Sequence, residues 1–292
     1  MPHAHQVACE SLAVSVGLII VALIYTRGWL RARRLDSNTN GAWRVVTFLL
    51  GLFLIWTAIG SPVGGLDHTL LTAHMIKHLL LMTLAPPLIL LGAPLELFSL
   101  GLPRRSVLLL GRLFNFSPVQ QFARTLTHPA VCWLGSASIL VGWHVPDVFM
   151  LGWQSEIWHA LQQASFLVTG ILFWVPVVKS RPLASKGSEW SLLLYLFLAT
   201  LPCDILSGFL VFCDRVVYPF RFPERLFGLT ALEDQQCAGA LMWTCVTLVY
   251  LVAAALITAR LLSPQRSQEH SIPQPDPAGS AGTMAPQTVE VS

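Results

Sequence analysis

Two histidines four residues apart, His74 and His78, enclose Met75 in the run HMIKH, the densest group of metal-ligating side-chain types in the sequence. On a helix, residues i and i+4 share a face with their side chains about 6 Å apart. The pair would therefore offer two imidazoles in one direction. The apolar segment carrying them opens near residue 69. At about 1.5 Å rise per residue, His74 lies roughly 8 Å and His78 roughly 14 Å along it. Polar groups at that depth in an apolar helix face a protein interior or a water-filled cavity. The last apolar segment enters from the same side behind Glu233-Asp234-Gln235-Gln236, which brings Met242 to about the depth of His74. His144, in WHVPD, and His159, opening the next apolar run, fall at that same level. Imidazole with thioether suits Cu(I), a soft ion. Carboxylates and water, the usual magnesium or calcium set, are thin here.

Each of these residues also has an ordinary structural reading. A membrane histidine often serves only as a hydrogen-bonding group, the reading that suits His68 and His128. Met75, Met82 and Met242 can be plain packing. Trp143, Trp153, Trp158 and Trp174 form an expected interfacial aromatic belt, and Asp67, Asp147 and Glu156 are solvated loop charges. Asp204 lies well inside an apolar run, either protonated and hydrogen-bonded or functional. His3, His5 and Cys9 could catch a metal weakly near the N-terminus.

These side chains need a scaffold, and composition dictates its solvent. Of 292 residues, 11% are charged and 54% hydrophobic, with mean hydropathy +0.63, against about 25% charged in an average soluble domain. A water-soluble enzyme of this composition would expose large apolar patches, so the chain belongs in a lipid bilayer. Net charge +3 with no basic stripe argues against a nucleic-acid partner. Six cysteines form no close pair and behave as small hydrophobes.

Spans of roughly 20 apolar residues occur near 10–26, 43–60, 69–92, 128–146, 157–178, 190–213 and 236–262. In lipid they must be helices. The expected architecture is all-α with seven transmembrane helices: a short exposed stretch 1–9, a membrane domain 10–262 and a disordered cytoplasmic tail 263–292 rich in Pro, Ser and Gln. Pro86-Pro87 should kink or break the third span, and Pro202 with Gly208 should make the sixth irregular. Between spans three and four, Val107–Phe116 mixes leucines with Arg112 as a helix lying on the membrane surface. With the N-terminus outside, 14 of 18 Lys and Arg fall on inner segments, among them Arg27, Arg31, Arg34, Arg104 and Arg105, as the positive-inside rule requires.

The string HTLLTAHMIKHLLLMTLAPPLILLGAP (68–94), with HPAVCWL and GWHVPDVF (128–149), IWHALQQASFLVTGILFWVPV (157–177) and EDQQCAGALMW (233–243), resembles the CtaG-like assembly factors for caa-type cytochrome c oxidase. The resemblance implies a multi-pass protein of the bacterial cytoplasmic (inner) membrane that matures a haem–copper oxidase through copper supply, without catalysis. It implies oxidase subunits and a periplasmic copper donor as partners. It carries over His74, Met75, His78, His144, His159 and Met242 as candidate Cu(I) ligands, with Asp234, Gln235, Gln163 and Asp204 as supporting polar residues. One departure stands out: where the family commonly has HxxEH, this chain reads His159-Ala160-Leu161-Gln162-Gln163. Three rival readings stay open at this stage. They are a haem-handling protein with axial histidines, a transporter built around Asp204, and a metal-free scaffold for assembly partners. No nucleophile–base pair or phosphate loop suggests an enzyme.

Overall fold

The computed structural model describes residues 2–35, 41–61, 69–179, 186–218 and 228–262. His68 and the tail from 263 lie outside them. The described residues are helical, with no strand among them. Six helical stretches are long and apolar enough to cross a bilayer. Helix α1 (Pro2–Leu35) contributes Ser11–Leu35, and α2 (Ala42–Ile55) continues through a π turn to Gly60. Next, α3 (Leu71–Leu79), a second π turn (Leu80–Leu84) and α4 (Ala85–Leu91) make one span of 21 residues.

Pro86-Pro87 does not break that span. Proline cannot donate to the carbonyl four residues back. Here the turn widens just before the pair, with the Ala85 N–H reaching back five residues to the Leu80 carbonyl. The prolines then occupy the opening positions of α4, where a missing N–H costs nothing. Ala93, at φ 51° and ψ 54°, ends α4 in the left-handed region and turns the chain into α5 (Pro94–Gly101).

Helices α6 (Arg104–Phe114) and α7 (Ser117–Leu126) bury no residue. Leu108, Leu109, Leu113 and Phe122 are all more than half exposed. That is the pattern of helices lying in the membrane interface, as expected for Val107–Phe116.

The fourth expected span is the one that differs. Helix α8 (Pro129–Trp143) has 15 residues, about 22 Å against a hydrocarbon core of roughly 30 Å. Val145, extended ahead of Pro146 as pre-proline residues prefer, separates it from α9 (Pro146–Gln154), and the two axes bend by 76°. Counting this pair as one broken span brings the total to seven. The remaining spans are α10 (Glu156–Val178), α11 (Lys186–Phe212) and α12 (Ala231–Leu262). Contrary to expectation, α11 runs unbroken through Pro202.

Helix α10 is central, packed on α4, α8, α9 and the second π turn. Its Gly170 is what allows this closeness: a Cβ there would stand 2.6 Å from the Met82 carbonyl oxygen and 2.8 Å from its Cα. Two side-chain bonds tie α8 to α10, Trp143 Nε1 to Ser165 Oγ at 2.9 Å and Ser136 Oγ to the Thr169 carbonyl at 3.1 Å. Trp143 and Trp174 are core residues, 7% and 3% exposed, rather than belt residues. Trp174 joins Phe173, Tyr195 and Tyr250 in an aromatic cluster between α10, α11 and α12.

Candidate metal-binding site

At one end of the bundle the N-termini of α3, α10 and α12 meet the C-terminal end of α8, and His74, His78, His144 and His159 converge there. His74 and His78, buried on α3, have ring centroids 4.3 Å apart. His159, in the first turn of α10, lies 5.8 Å from His74. His144, buried at the end of α8, lies 6.0 Å from His78. Phe149 and Trp153 of α9 flank His74, and Phe166 of α10 lies 4.2 Å from His78.

Met75 points elsewhere. Being one residue on from His74, it is rotated by about 100°. It lines a cavity of about 40 Å³ with His78, Met82, His144, Cys203 and Met242 among its walls, room for a water-sized guest. His144 Nε2 lies 3.4 Å from Met75 Sδ, and its Nδ1 lies 2.6 Å from the Leu140 carbonyl oxygen. A carbonyl only accepts, so Nδ1 carries a proton, and the neutral form of His144 turns an Nε2 lone pair toward the thioether. A backbone bond that fixes the far nitrogen in this way is how proteins orient imidazole ligands. Nδ1 of His78 is buried without a hydrogen-bond partner among the described residues. No group of three or more His, Cys, Asp or Glu is arranged to hold a metal among those residues. The converging donors are two imidazoles and thioether sulfur.

The acid–amide pair at the head of α12 builds the frame. Helix α3 has no side-chain cap of its own, since Leu70 precedes it. Buried Asp234 supplies one from across the bundle, accepting the Leu71 N–H at 2.6 Å and the Thr72 N–H at 3.2 Å, while Thr72 Oγ1 donates to the Asp234 carbonyl at 3.1 Å. A carboxylate on the first free N–H groups satisfies them and opposes the helix dipole. Gln235 Oε1 accepts the Val217 N–H at 2.7 Å and its Nε2 donates to the Arg215 carbonyl at 3.2 Å. That holds the segment after α11, from which Tyr218 donates to the His144 carbonyl at 3.0 Å. Burial of the Tyr218 phenol raises its pKa well above the ordinary value, so it stays a donor.

Of the expected residues, Met242 joins Met75, His78 and His144 at the cavity, whereas His74 and His159 form the adjoining pair. Gln162 and Gln163 are buried, and both amide atoms of Gln162 have no hydrogen-bond partner among the described residues. Asp204 sits half-buried on α11 and does not line the cavity. His128 caps α8, its Nδ1 accepting the Ala130 N–H. Tyr218 and Cys203 were not singled out as site residues from sequence. Tyr218 sits in an aperiodic loop, and nothing in the order of residues tells a cavity-facing Cys203 from one facing lipid.

One family model, described as cytochrome c oxidase caa3 assembly factor (Caa3_CtaG), matches residues 23–263. No curated protein and no solved structure matches the chain.

Proposed function

The chain belongs to the cytochrome c oxidase caa3 assembly factor family, and on that footing we propose that it holds Cu(I) at the histidine end of its bundle and passes it to a haem–copper oxidase. The observation that carries this is the approach of His144 Nε2 to Met75 Sδ at 3.4 Å, with His144 Nδ1 bonded to the Leu140 carbonyl. Bond lengths of about 2.0 Å to nitrogen and 2.3 Å to sulfur, at a tetrahedral angle, put two ligands of one ion about 3.5 Å apart. His78 and Met242 on the same cavity complete a two-imidazole, two-thioether set, the soft donors Cu(I) takes. His74 and His159 then serve as the outer pair through which the ion enters.

The third span sets this end opposite the arginine-rich one: His78 and Gly92 are about 21 Å apart along it. The positive-inside rule puts the arginines in the cytoplasm, so the copper site faces the periplasm and a copper donor there, in a bacterial cytoplasmic membrane. A cavity of about 40 Å³ fits an ion and not a macrocycle, which disfavours the haem reading. The unbroken α11 removes the discontinuous helix on which a transporter reading leaned.

The test is anaerobic loading of detergent-purified protein with Cu(I) against a chromophoric chelator, beside Met75→Leu, His144→Ala and the double variant His74→Ala/His78→Ala. About one copper per chain is expected, with retention lost in His144→Ala and weakened at least tenfold in Met75→Leu, while thermal melting shows each variant folded. Copper held equally by folded His144→Ala would refute the ligand set. No copper in the parent protein would leave a metal-free scaffold as the better account.

A further inference from the structure

Arg27, Arg31 and Arg34 stand on one side of the last turns of α1, at helical spacings that keep them neighbours. Helix α5 crosses α1 at contact distance just there. Gly28 lies against the Leu97 carbonyl and Gly101 against the Ile24 carbonyl, each without room for a Cβ. Beyond the crossing a groove of about 470 Å³ opens between α1 and α6, with Arg31, Arg34 and Arg104 on its walls beside Leu35, Leu102 and Val107. A second hollow of about 360 Å³, bounded by Leu23, Leu30 and Arg27, shares Arg31 and Arg34. Two depressions thus flank one pair of arginines.

Among the described residues no carboxylate lines either groove. Arg31 Nη1 donates to the Leu100 carbonyl at 2.8 Å, which fixes the guanidinium at the rim. The surroundings are apolar and uncovered: Leu23 is 64% and Leu35 79% exposed, and α6 and α7 beside them bury nothing. Guanidinium over exposed leucine, where interfacial helices lie, matches the boundary between phosphate and acyl chain. Arginine pairs with phosphate through parallel N–H donors.

We propose that this groove is a binding site for an anionic glycerophospholipid, its phosphodiester on Arg31, Arg34 and Arg104 and its acyl chains along Leu23 and Leu30. The bound lipid bridges α6 to the end of α1. Because the site is remote from the histidines, it stands or falls independently of copper.

The experiment is native mass spectrometry of the detergent-solubilised full chain titrated with phosphatidylglycerol or phosphatidylcholine, with melting as a folding check. Compared are Arg31→Gln/Arg34→Gln/Arg104→Gln and a control of equal charge loss, Arg105→Gln/Arg112→Gln/Arg124→Gln. Phosphatidylglycerol should be held at least about tenfold more tightly than phosphatidylcholine, since each of the three arginines favours its net negative charge. The groove variant should lose that preference and the control keep it. Equal loss in both variants would show diffuse attraction rather than a site and overturn the proposal. So would equal retention of both lipids, or displacement of phosphatidylglycerol by millimolar inorganic phosphate.

Discussion

Asp234 is the residue whose removal should be felt furthest from its own helix. Its carboxylate takes the Leu71 and Thr72 N–H groups at 2.6 and 3.2 Å, where α3 has no cap of its own. Hydrogen bonds to a charged group contribute about 1.5–3 kcal/mol each, and a charge at a partly buried helix terminus up to about 2 kcal/mol more. Asp234→Ala removes all of this and leaves the Leu71 amide, on a residue 1% exposed, without an acceptor. These contributions overlap, so a loss of roughly 3–5 kcal/mol is expected. At about 2–4 °C per kcal/mol for a chain of this size class, melting in detergent should fall by roughly 6–20 °C. Asp234→Asn, which keeps an acceptor oxygen but not the charge, should fall between. Glu233→Gln is the internal comparison. That exposed side chain closes a capping box with Thr230, at 2.7 and 2.9 Å, and its loss should cost about 1 kcal/mol or less. Hydrogen exchange localises the effect: the first turn of α3, three residues before His74, should exchange faster in Asp234→Ala. If Asp234→Ala melts within a degree or two of Glu233→Gln, or exchange at Leu71 and Thr72 is unchanged, the cross-bundle cap is not what holds α3.

Three further outcomes follow from the same geometry. Gln162→Leu should raise melting by a few degrees, because it removes a fully buried amide with no partner for either atom, a cost of about 1–3 kcal/mol; a fall would mean that the amide is satisfied in the membrane. Gly170→Val should lower melting and copper retention together, since α10 cannot approach the Met82 backbone with a side chain interposed; retention at the parent level would separate the site from this packing. Copper retention should fall as pH drops from 7.5 to 5, because imidazole ligates only when neutral and its ordinary pKa is about 6.5; a flat profile would point to ligation by sulfur alone.

The apolar runs located the spans closely, since length and hydropathy are set by the bilayer and not by the partners of each helix. Leu71–Leu91 was expected as 69–92 and Trp190–Phe212 as 190–213. What sequence did not disclose depends on neighbours. Pro86-Pro87 looks like a break until the π turn ahead of it absorbs the missing donors. Pro202 looks like one and is simply carried by α11. Trp143 near a span end resembles a belt residue until Ser165 of α10 takes its N–H. HMxxH does bring two imidazoles together, 4.3 Å apart; what it does not disclose is that only His78 reaches the cavity with Met75 and His144, while His74 meets His159. Asp234 and Gln235 were legible as polar groups needing a reason, but their partners lie 163 and 18 residues away.

The π turn at Leu80–Leu84 also has a rotational meaning. It follows directly on the histidine turn and precedes the stretch that packs on α2 and α10. One extra residue in a helical turn shifts the phase of everything beyond it by about 100°. The histidine-bearing half of this span and its packing half are therefore phased separately, and neither azimuth follows from the other. Deleting a single leucine from that turn would leave the span as apolar as before and long enough to cross, yet would swing the imidazoles away from His144 and Met242. For this segment hydropathy sets the depth, and a one-residue insertion sets the direction in which the chemistry faces.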